Sequence, residues 1–185
     1  LQVLQSFNKY IEGVHLNCMY AFLKFVVKGV SMSDIEKVYY KSPIGTIKIS
    51  GSYEGITSID FVESQEVSLE VPTILCECVK QLNEYFEGTR KEFNLKLLLN
   101  GTKFQEQVWR KLIEIPYGET ASYGSLAQSL LNPKAVRAVG GANHNNKISI
   151  IIPCHRVIAK NGKLTGYAGG LWRKQWLLNH EKQYK

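Results

Sequence analysis

The sequence predicts an α/β protein, in which a small N-terminal α/β domain with an antiparallel sheet precedes a mainly helical C-terminal domain containing a helix-turn-helix. Apolar and polar residues alternate between positions 38 and 62, which is typical of half-buried strands. Apolar residues recur at three- and four-residue steps through much of the second half, which favours helices. Charge is divided unevenly: residues 101–185 carry 13 Lys and Arg against 4 Asp and Glu, whereas residues 1–100 carry 10 against 12.

Length and composition are those of an ordinary folded chain. The 185 residues allow one large domain or two small ones, and 44% hydrophobic residues are enough for a core. The excess positive charge of the second half favours a polyanionic partner. A basic face that is merely solvated would give the same count, so charge alone does not decide between a polyanionic partner and a solvated face.

Residues 1–32 are interpreted as an extension of unclear role. Their apolar run at 18–28 is interrupted by Lys24 and Lys28, which share one face of a helix. The run falls short of the about 20 residues that a membrane span requires. A short amphipathic helix is expected there, with no membrane association.

Residues 33–100 form the first predicted domain. Three alternating segments, separated by glycine-containing turns, predict an antiparallel meander within 38–62. The spacing over 72–86 predicts a helix, and the apolar residues 93–99 predict an extended segment. No catalytic set of residues is found here, so this domain is expected to support the second.

Residues 101–185 form the second predicted domain. Thr102 is expected to cap a helix that continues to about residue 115. A second helix begins at Ser122 and stops before Asn132, and Pro133 opens the next, over 134–142. Helix, tight turn and helix in a basic domain predict a helix-turn-helix.

A last helix is predicted over 171–180. We expect Arg173 and Lys174 to face outward, and the inward residues to be Leu171, Trp172, Trp176, Leu177 and His180. The glycine-rich stretch before this helix would let the backbone approach a ligand closely.

The second helix of the helix-turn-helix offers small side chains, including Ala135 and Ala138, and one arginine, Arg137. A tight helix–helix contact would explain the small residues. Docking into a minor groove, with little sequence readout and with Arg137 inserted into the base stack, would explain them together with the arginine.

Residues 150–158 read Ile-Ile-Ile-Pro-Cys-His-Arg-Val-Ile, so a thiol and an imidazole stand between two apolar triplets. Pro153 forces a turn or the end of a strand before Cys154. His155 can reach the sulfur only if the backbone turns, directly or through a water. An activated nucleophile is one interpretation, and an inert buried cysteine is the other.

The other cysteines do not indicate a metal. Cys76 and Cys78 lack the two-residue gap of zinc knuckles, and no ligand set can be assembled around His15 and Cys18. Four scattered cysteines in a chain of this length do not form a disulfide scaffold. A reducing, cytoplasmic location is therefore expected.

The string Pro-Cys-His-Arg between two apolar triplets resembles the active-site signature of the O6-alkylguanine-DNA alkyltransferases. The segments Phe-x-x-Gln-Val-Trp at 104–109 and Ile-Pro-Tyr-Gly-Glu-Thr at 115–120 also match this family. The resemblance extends over roughly residues 33–182 and is strongest in the last 80 residues.

The resemblance implies roles for five residues. Cys154 is similar to the alkyl acceptor, His155 to the base that takes its proton through a water, and Glu181 to the carboxylate that orients the imidazole. Asn146 is similar to the residue that ties the recognition helix to the active-site turn, although Lys147 follows where the family usually has Pro. Tyr123 is similar to the phenol that helps rotate the 3′ phosphate and can donate a proton near guanine O6.

The resemblance also implies which residues form the lesion pocket and which residues contact DNA. The lesion pocket would be formed by Val157, Tyr167, Ala168 and Gly169. Arg137 would fill the space left by the extruded nucleotide, and the expected DNA contacts are Tyr123, Gly124, Asn132, Ala135, Arg137, Ala138 and Lys160.

The implied activity is irreversible transfer of an alkyl group from O6-alkylguanine to Cys154 after nucleotide flipping, with O4-alkylthymine left open as a second substrate. The partner would be double-stranded DNA, bound mainly without sequence preference by a monomer, and the reaction would need no cofactor. A non-catalytic damage-binding protein of the same fold is the alternative, but it would lack Cys154. A thiol hydrolase would use Cys, His and Glu but would have no use for Arg137 or the basic half.

Overall fold

The computed structural model describes residues 34–63 and 67–185. The amphipathic helix expected at 18–28 therefore lies outside the described residues. Within the described part, no helix has the length and apolar character needed to cross a membrane.

A three-stranded antiparallel meander forms the first half, as the alternating pattern predicts. Its strands β1 (Glu36–Ser42), β2 (Gly45–Ser52) and β3 (Gly55–Phe61) are neighbours in that order. Both hairpin turns end at a glycine with positive φ, +108° at Gly45 and +144° at Gly55, values that L side chains rarely adopt.

Helix α1 (Thr73–Phe86) packs on this sheet through the period-3.6 stripe that its sequence shows. The stripe residues Leu75, Cys78, Leu82 and Tyr85 are fully or almost fully buried. The segment at 93–99 is extended and joins β3 through a single parallel bridge at Leu97.

The free edge of β3 also receives the segment that leads to Cys154. The N–H of Ile59 donates to the carbonyl of Lys147 at 2.8 Å, and the N–H of Ser149 donates to the carbonyl of Ile59 at 3.2 Å. Because Ile59 and Ile148 are also buried, the sheet of the first half holds the approach to the site in place.

Helix α2 (Lys103–Ile113) begins at the expected cap, where Thr102 and Gln105 form a reciprocal capping box. Helices α3 (Tyr123–Ser129) and α4 (Val136–His144) follow, connected by a 3₁₀ turn at Pro133–Ala135. They pack against each other and against α2, so the predicted helix, turn and helix order is present.

A two-residue parallel pair, β4 (Ala121–Ser122) and β5 (Val157–Ile158), joins the start of α3 to the residues after Cys154. Helix α5 (Leu171–Gln183) closes the molecule. The predicted fold class, an antiparallel sheet domain followed by a helical part, is confirmed.

The predicted faces of α5 are wrong at its first turn. Lys174, expected outside, is fully buried, whereas Leu171 and Trp172, expected inside, are 49% and 56% exposed. Lys174 is tolerated in the interior because its ammonium donates to the carbonyls of Val157 at 2.6 Å and Thr165 at 2.8 Å.

Arg173 is also more enclosed than predicted. It is half-buried, and its guanidinium donates to the carbonyls of Ile44 at 2.8 Å and Gly169 at 2.7 Å. It also lies over the rings of Phe61 and Trp172. Polar side chains that bond loop carbonyls thus replace apolar ones in the first turn of this helix.

Candidate active site

Cys154 lies at the start of a 3₁₀ turn, Cys154–Arg156, that follows Pro153. The apolar run before it is not a regular strand, because Ile150 has φ of +72° and is fully buried. A β-branched residue rarely adopts that conformation, so surrounding packing must hold it. Cys154 is 4% exposed, so its side chain lies almost entirely inside the protein.

In a regular strand, the side chains of Cys154 and His155 would point to opposite faces. In the 3₁₀ turn they also contact different partners. The Cys154 sulfur accepts a hydrogen bond from the Asn146 amide at 3.1 Å. His155 is fully buried and contacts Glu181 instead, with its Nε2 2.8 Å from Oε1 of the carboxylate.

The Asn146 amide holds the turn as well as the thiol. Its Nδ2 also donates to the carbonyl of Ile152 at 2.8 Å, and its Oδ1 accepts from the N–H of Ile148 at 3.0 Å. Asn143, in the last turn of α4, donates to the carbonyl of Cys154 at 3.4 Å. The end of α4 and the turn that carries Cys154 are therefore linked by two asparagines, of which sequence reasoning identified one.

Burial raises the pKa of the Cys154 thiol, and the hydrogen bond from Asn146 and the nearby Lys174 ammonium oppose that rise. Burial lowers the pKa of His155, against the hydrogen bond and charge of Glu181. The resting pair is therefore a thiol and a neutral imidazole, so the sulfur would have to lose its proton before it could act as a nucleophile.

The tautomer of His155 follows from its partner. A carboxylate can only accept, so Nε2 carries the proton and Nδ1 keeps a lone pair. Among the described residues, Nδ1 has no hydrogen-bond partner although it is buried. This nitrogen can take a proton.

Glu181 is fully buried and accepts hydrogen bonds at both carboxylate oxygens. Besides His155, the donors are Arg156 through Nε at 2.9 Å and Nη2 at 3.0 Å, the Tyr85 hydroxyl at 2.9 Å, and the N–H of Gly118 at 3.0 Å. Burial alone would raise the pKa of this carboxyl, but the bonds from His155 and Arg156 hold the pKa well below its ordinary range.

Besides Asn143, three side chains that contribute to this site were missed by sequence reasoning. Arg156 stands inside the signature string and was given no role, yet it pairs with Glu181 and donates to the carbonyl of Ile115 at 2.6 Å. Lys174 was placed outside. Tyr85 belongs to the first domain and lies 96 positions from Glu181, so no local pattern could reveal it.

Comparison with known proteins identifies the family. The DNA-binding domain of 6-O-methylguanine DNA methyltransferase matches residues 103–183, and its ribonuclease-like domain matches residues 35–99. A methylated-DNA–protein-cysteine methyltransferase of Methanosarcina acetivorans is 49% identical over 149 residues, which cover 77% of this chain and 95% of that protein. The chain belongs to the 6-O-methylguanine DNA methyltransferase family.

Solved structures of this family have the same fold. The O6-methylguanine methyltransferase of Mycobacterium tuberculosis aligns with a TM-score of 0.75 at 44% identity, over 82% of this chain and 95% of that one. A structure of Mycobacterium tuberculosis OGT in complex with DNA aligns with a TM-score of 0.73 at 46% identity, over 79% and 92%. The predicted family is thus confirmed, and DNA binding is supported.

The residues expected to meet DNA, apart from Lys160, lie on α3, on α4 or in the turn between them, and most are accessible. Ala135 and Gly124 are half-buried, and Tyr123 is half-buried with its hydroxyl donating to the carbonyl of Thr165 at 3.3 Å. The exposed members are Asn132, Arg137, Ala138 and Lys160.

The four residues expected to form the lesion pocket differ in their exposure to solvent. Val157 and Tyr167 are buried, Gly169 is half-buried and Ala168 is exposed. A Cβ at Gly169 would lie 2.6 Å from the ring of Phe61 and 2.8 Å from that of Tyr167. Only glycine therefore fits between these rings without a shift of the loop.

In the two described ranges, no group of three or more His, Cys, Asp or Glu side chains could hold an ion.

Proposed function

We propose that this chain repairs DNA by moving one alkyl group from O6-alkylguanine in a duplex to the sulfur of Cys154, once per molecule. The observation that carries the proposal is the buried thiol held by Asn146, next in sequence to an imidazole whose Nδ1 is free to take a proton. A water between sulfur and Nδ1 would carry that proton.

The chemistry is a displacement at the alkyl carbon. A carbon–sulfur bond forms, the carbon–O6 bond breaks, and its electron pair goes to the guanine. The proton lost by the thiol passes to His155, and the departing guanine takes up one proton, for which the Tyr123 hydroxyl is the proposed donor. The product is a thioether, and nothing in the site reverses it, so the reaction is stoichiometric.

Glu181 supports this step electrostatically. As His155 becomes an imidazolium, the carboxylate 2.8 Å away stabilises the new charge without moving. Arg156 keeps Glu181 ionised and fixed, so the imidazole of His155 stays oriented with Nδ1 directed away from Glu181. This division of roles is that of an activated nucleophile with an oriented base.

Flipping of the damaged nucleotide follows from burial. A sulfur that is 4% exposed cannot reach a base inside a duplex, so the base must leave the stack at a cost of about a few kcal/mol. The exposed Arg137 on α4 would offset part of that cost by filling the gap. The basic second half supplies phosphate contacts without sequence preference.

We further propose that the protein acts as a monomer and in the cytoplasm, where a reducing environment keeps the acceptor thiol free. The non-catalytic alternative is disfavoured by the presence of Cys154 itself. No feature of the site favours a hydrolase over alkyl transfer.

The test is intact mass spectrometry after incubation with a duplex that carries one O6-methylguanine. The expected result is a gain of one methyl group per molecule, mapped to Cys154, with loss of the lesion from the DNA. Cys154→Ala should bind the same duplex with unchanged affinity and gain nothing. A methyl group on another residue, or continued repair by Cys154→Ala, would refute the proposed acceptor.

A further inference from the structure

The described part of the first domain is not a remote support for the second, because one of its side chains enters the charged site. Tyr85 is fully buried on the last turn of α1, and its hydroxyl donates to Oε1 of Glu181 at 2.9 Å. The same oxygen lies 2.8 Å from Nε2 of His155. One carboxylate oxygen is thus shared by a phenol from the first domain and the imidazole beside the acceptor thiol.

Tyr85 also holds the neighbouring residue of α5. Its backbone carbonyl lies 2.7 Å from Nε2 of His180, and the two rings pack with centroids 5.3 Å apart. Because Tyr85 contacts two successive residues, His180 and Glu181, this turn of α5 can neither slide along the helix axis nor rotate about it. The position of the carboxylate is therefore set from the first domain.

The hydroxyl of Tyr85 is suited to act as a permanent donor. Burial and the adjacent Glu181 carboxylate raise the pKa of this phenol well above its ordinary value. The phenol therefore keeps its proton at neutral pH. A donor fixed on Oε1 withdraws negative charge from the oxygen that His155 contacts.

We propose that Tyr85 is a positioning residue for alkyl transfer, acting through Glu181 on the orientation and basicity of His155. The inference rests on the proposed function, and it makes the first domain part of the reaction machinery. The titratable and charged groups that act on Tyr85 and His155 from the surrounding elements, besides Glu181, are Arg156, Lys174, Tyr117 and His180.

The test variant is Tyr85→Phe in the full chain, which removes one oxygen and keeps the ring. With one donor lost, the Glu181 carboxylate attracts the proton of His155 more strongly, so the pKa of His155 rises. The chain has four histidines, so nitrogen-15 NMR of histidine-labelled protein can follow this titration without any repair reaction. The rate of methyl transfer, measured in single turnover, should fall about tenfold, because the loss of the fixed orientation of Glu181 and His155 outweighs the gain in basicity.

Tyr117→Phe is the matched control. The Tyr117 ring lies 6.0 Å from that of Tyr85, and its buried hydroxyl has no hydrogen-bond partner among the described residues. This variant should leave both the His155 titration and the transfer rate unchanged. Equal effects of the two variants would assign Tyr85 a packing role and overturn the proposal.

An unchanged pKa of His155 in Tyr85→Phe would also overturn it, whatever the transfer rate. The NMR readout separates this failure from failure of the proposed function, which would show as no methyl transfer to Cys154 by the unaltered protein. If Tyr85→Phe does not fold, a fluorinated tyrosine at position 85 is a stronger donor and should lower the pKa of His155. No shift with that residue would be equally decisive against the proposal.

Discussion

The side-chain amide of Asn146 donates to the sulfur of Cys154 at 3.1 Å and to the carbonyl of Ile152 at 2.8 Å. One planar group thus fixes the thiol and the turn that carries it. The donated hydrogen bond favours the thiolate and opposes the effect of burial on the thiol pKa. Asn146 therefore has a chemical effect in addition to its structural one.

Asn146→Ala should raise the pKa of Cys154 further and slow its alkylation at neutral pH by about tenfold, the effect of one pKa unit. The measurement is the rate of iodoacetamide modification of Cys154, followed by mass spectrometry over a range of pH. Asn145→Ala, at the exposed neighbouring position, is the control and should match the unaltered protein. Identical profiles for both variants would contradict the role of the amide.

Lys174→Met should destabilise the fold by about 1–3 kcal/mol, because the carbonyls of Val157 and Thr165 lose a buried donor. Burial lowers the pKa of this lysine to about 8, against the opposing effect of Cys154. The free energy of unfolding from urea denaturation measures the loss. Lys182→Met, on the exposed part of α5, should change it little, and a similar loss in both would contradict this role of Lys174.

Arg137→Ala should slow repair of a duplex about tenfold or more, but it should leave reaction with free O6-benzylguanine nearly unchanged. The free base needs no extrusion from a stack, so only the duplex reaction depends on filling the gap. Single-turnover rates on the two substrates give the comparison. Arg110→Ala removes an exposed arginine from α2 as a charge control. Equal losses on both substrates would exclude the proposed role of Arg137.

Stability should fall as the pH decreases, in two stages. The pKa of His155 is lowered in the folded state, so the unfolded chain binds more protons below the ordinary value of 6.5, and stability is lost as the pH falls below it. The pKa of Glu181 is also lowered, so further stability is lost below its ordinary value of 4.5. Glu181→Gln should remove the second stage in thermal denaturation measured from pH 7 to pH 3. A second stage that persists in this variant would assign it to other carboxylates.

Much of the fold could be predicted because local patterns encode it. The alternation at 38–62 requires a sheet with one buried face, and the capping box at Thr102 starts α2 where expected. The prediction for the first turn of α5 was wrong for a physical reason. A prediction from hydrophobic spacing places every charged side chain in water. It takes no account of loop carbonyls, which can satisfy a buried ammonium such as that of Lys174.

The sequence by itself determined the class of the fold and the family, and it predicts the acceptor, because a turn-forming proline before a cysteine and histidine is a local feature that a short string records. Only the tertiary structure decided which groups surround Glu181. Tyr85, Gly118 and Arg156 reach that carboxylate from separate elements. A buried charge takes its donors from whatever the packed chain places within about 3 Å, and that proximity is not a property of sequence distance.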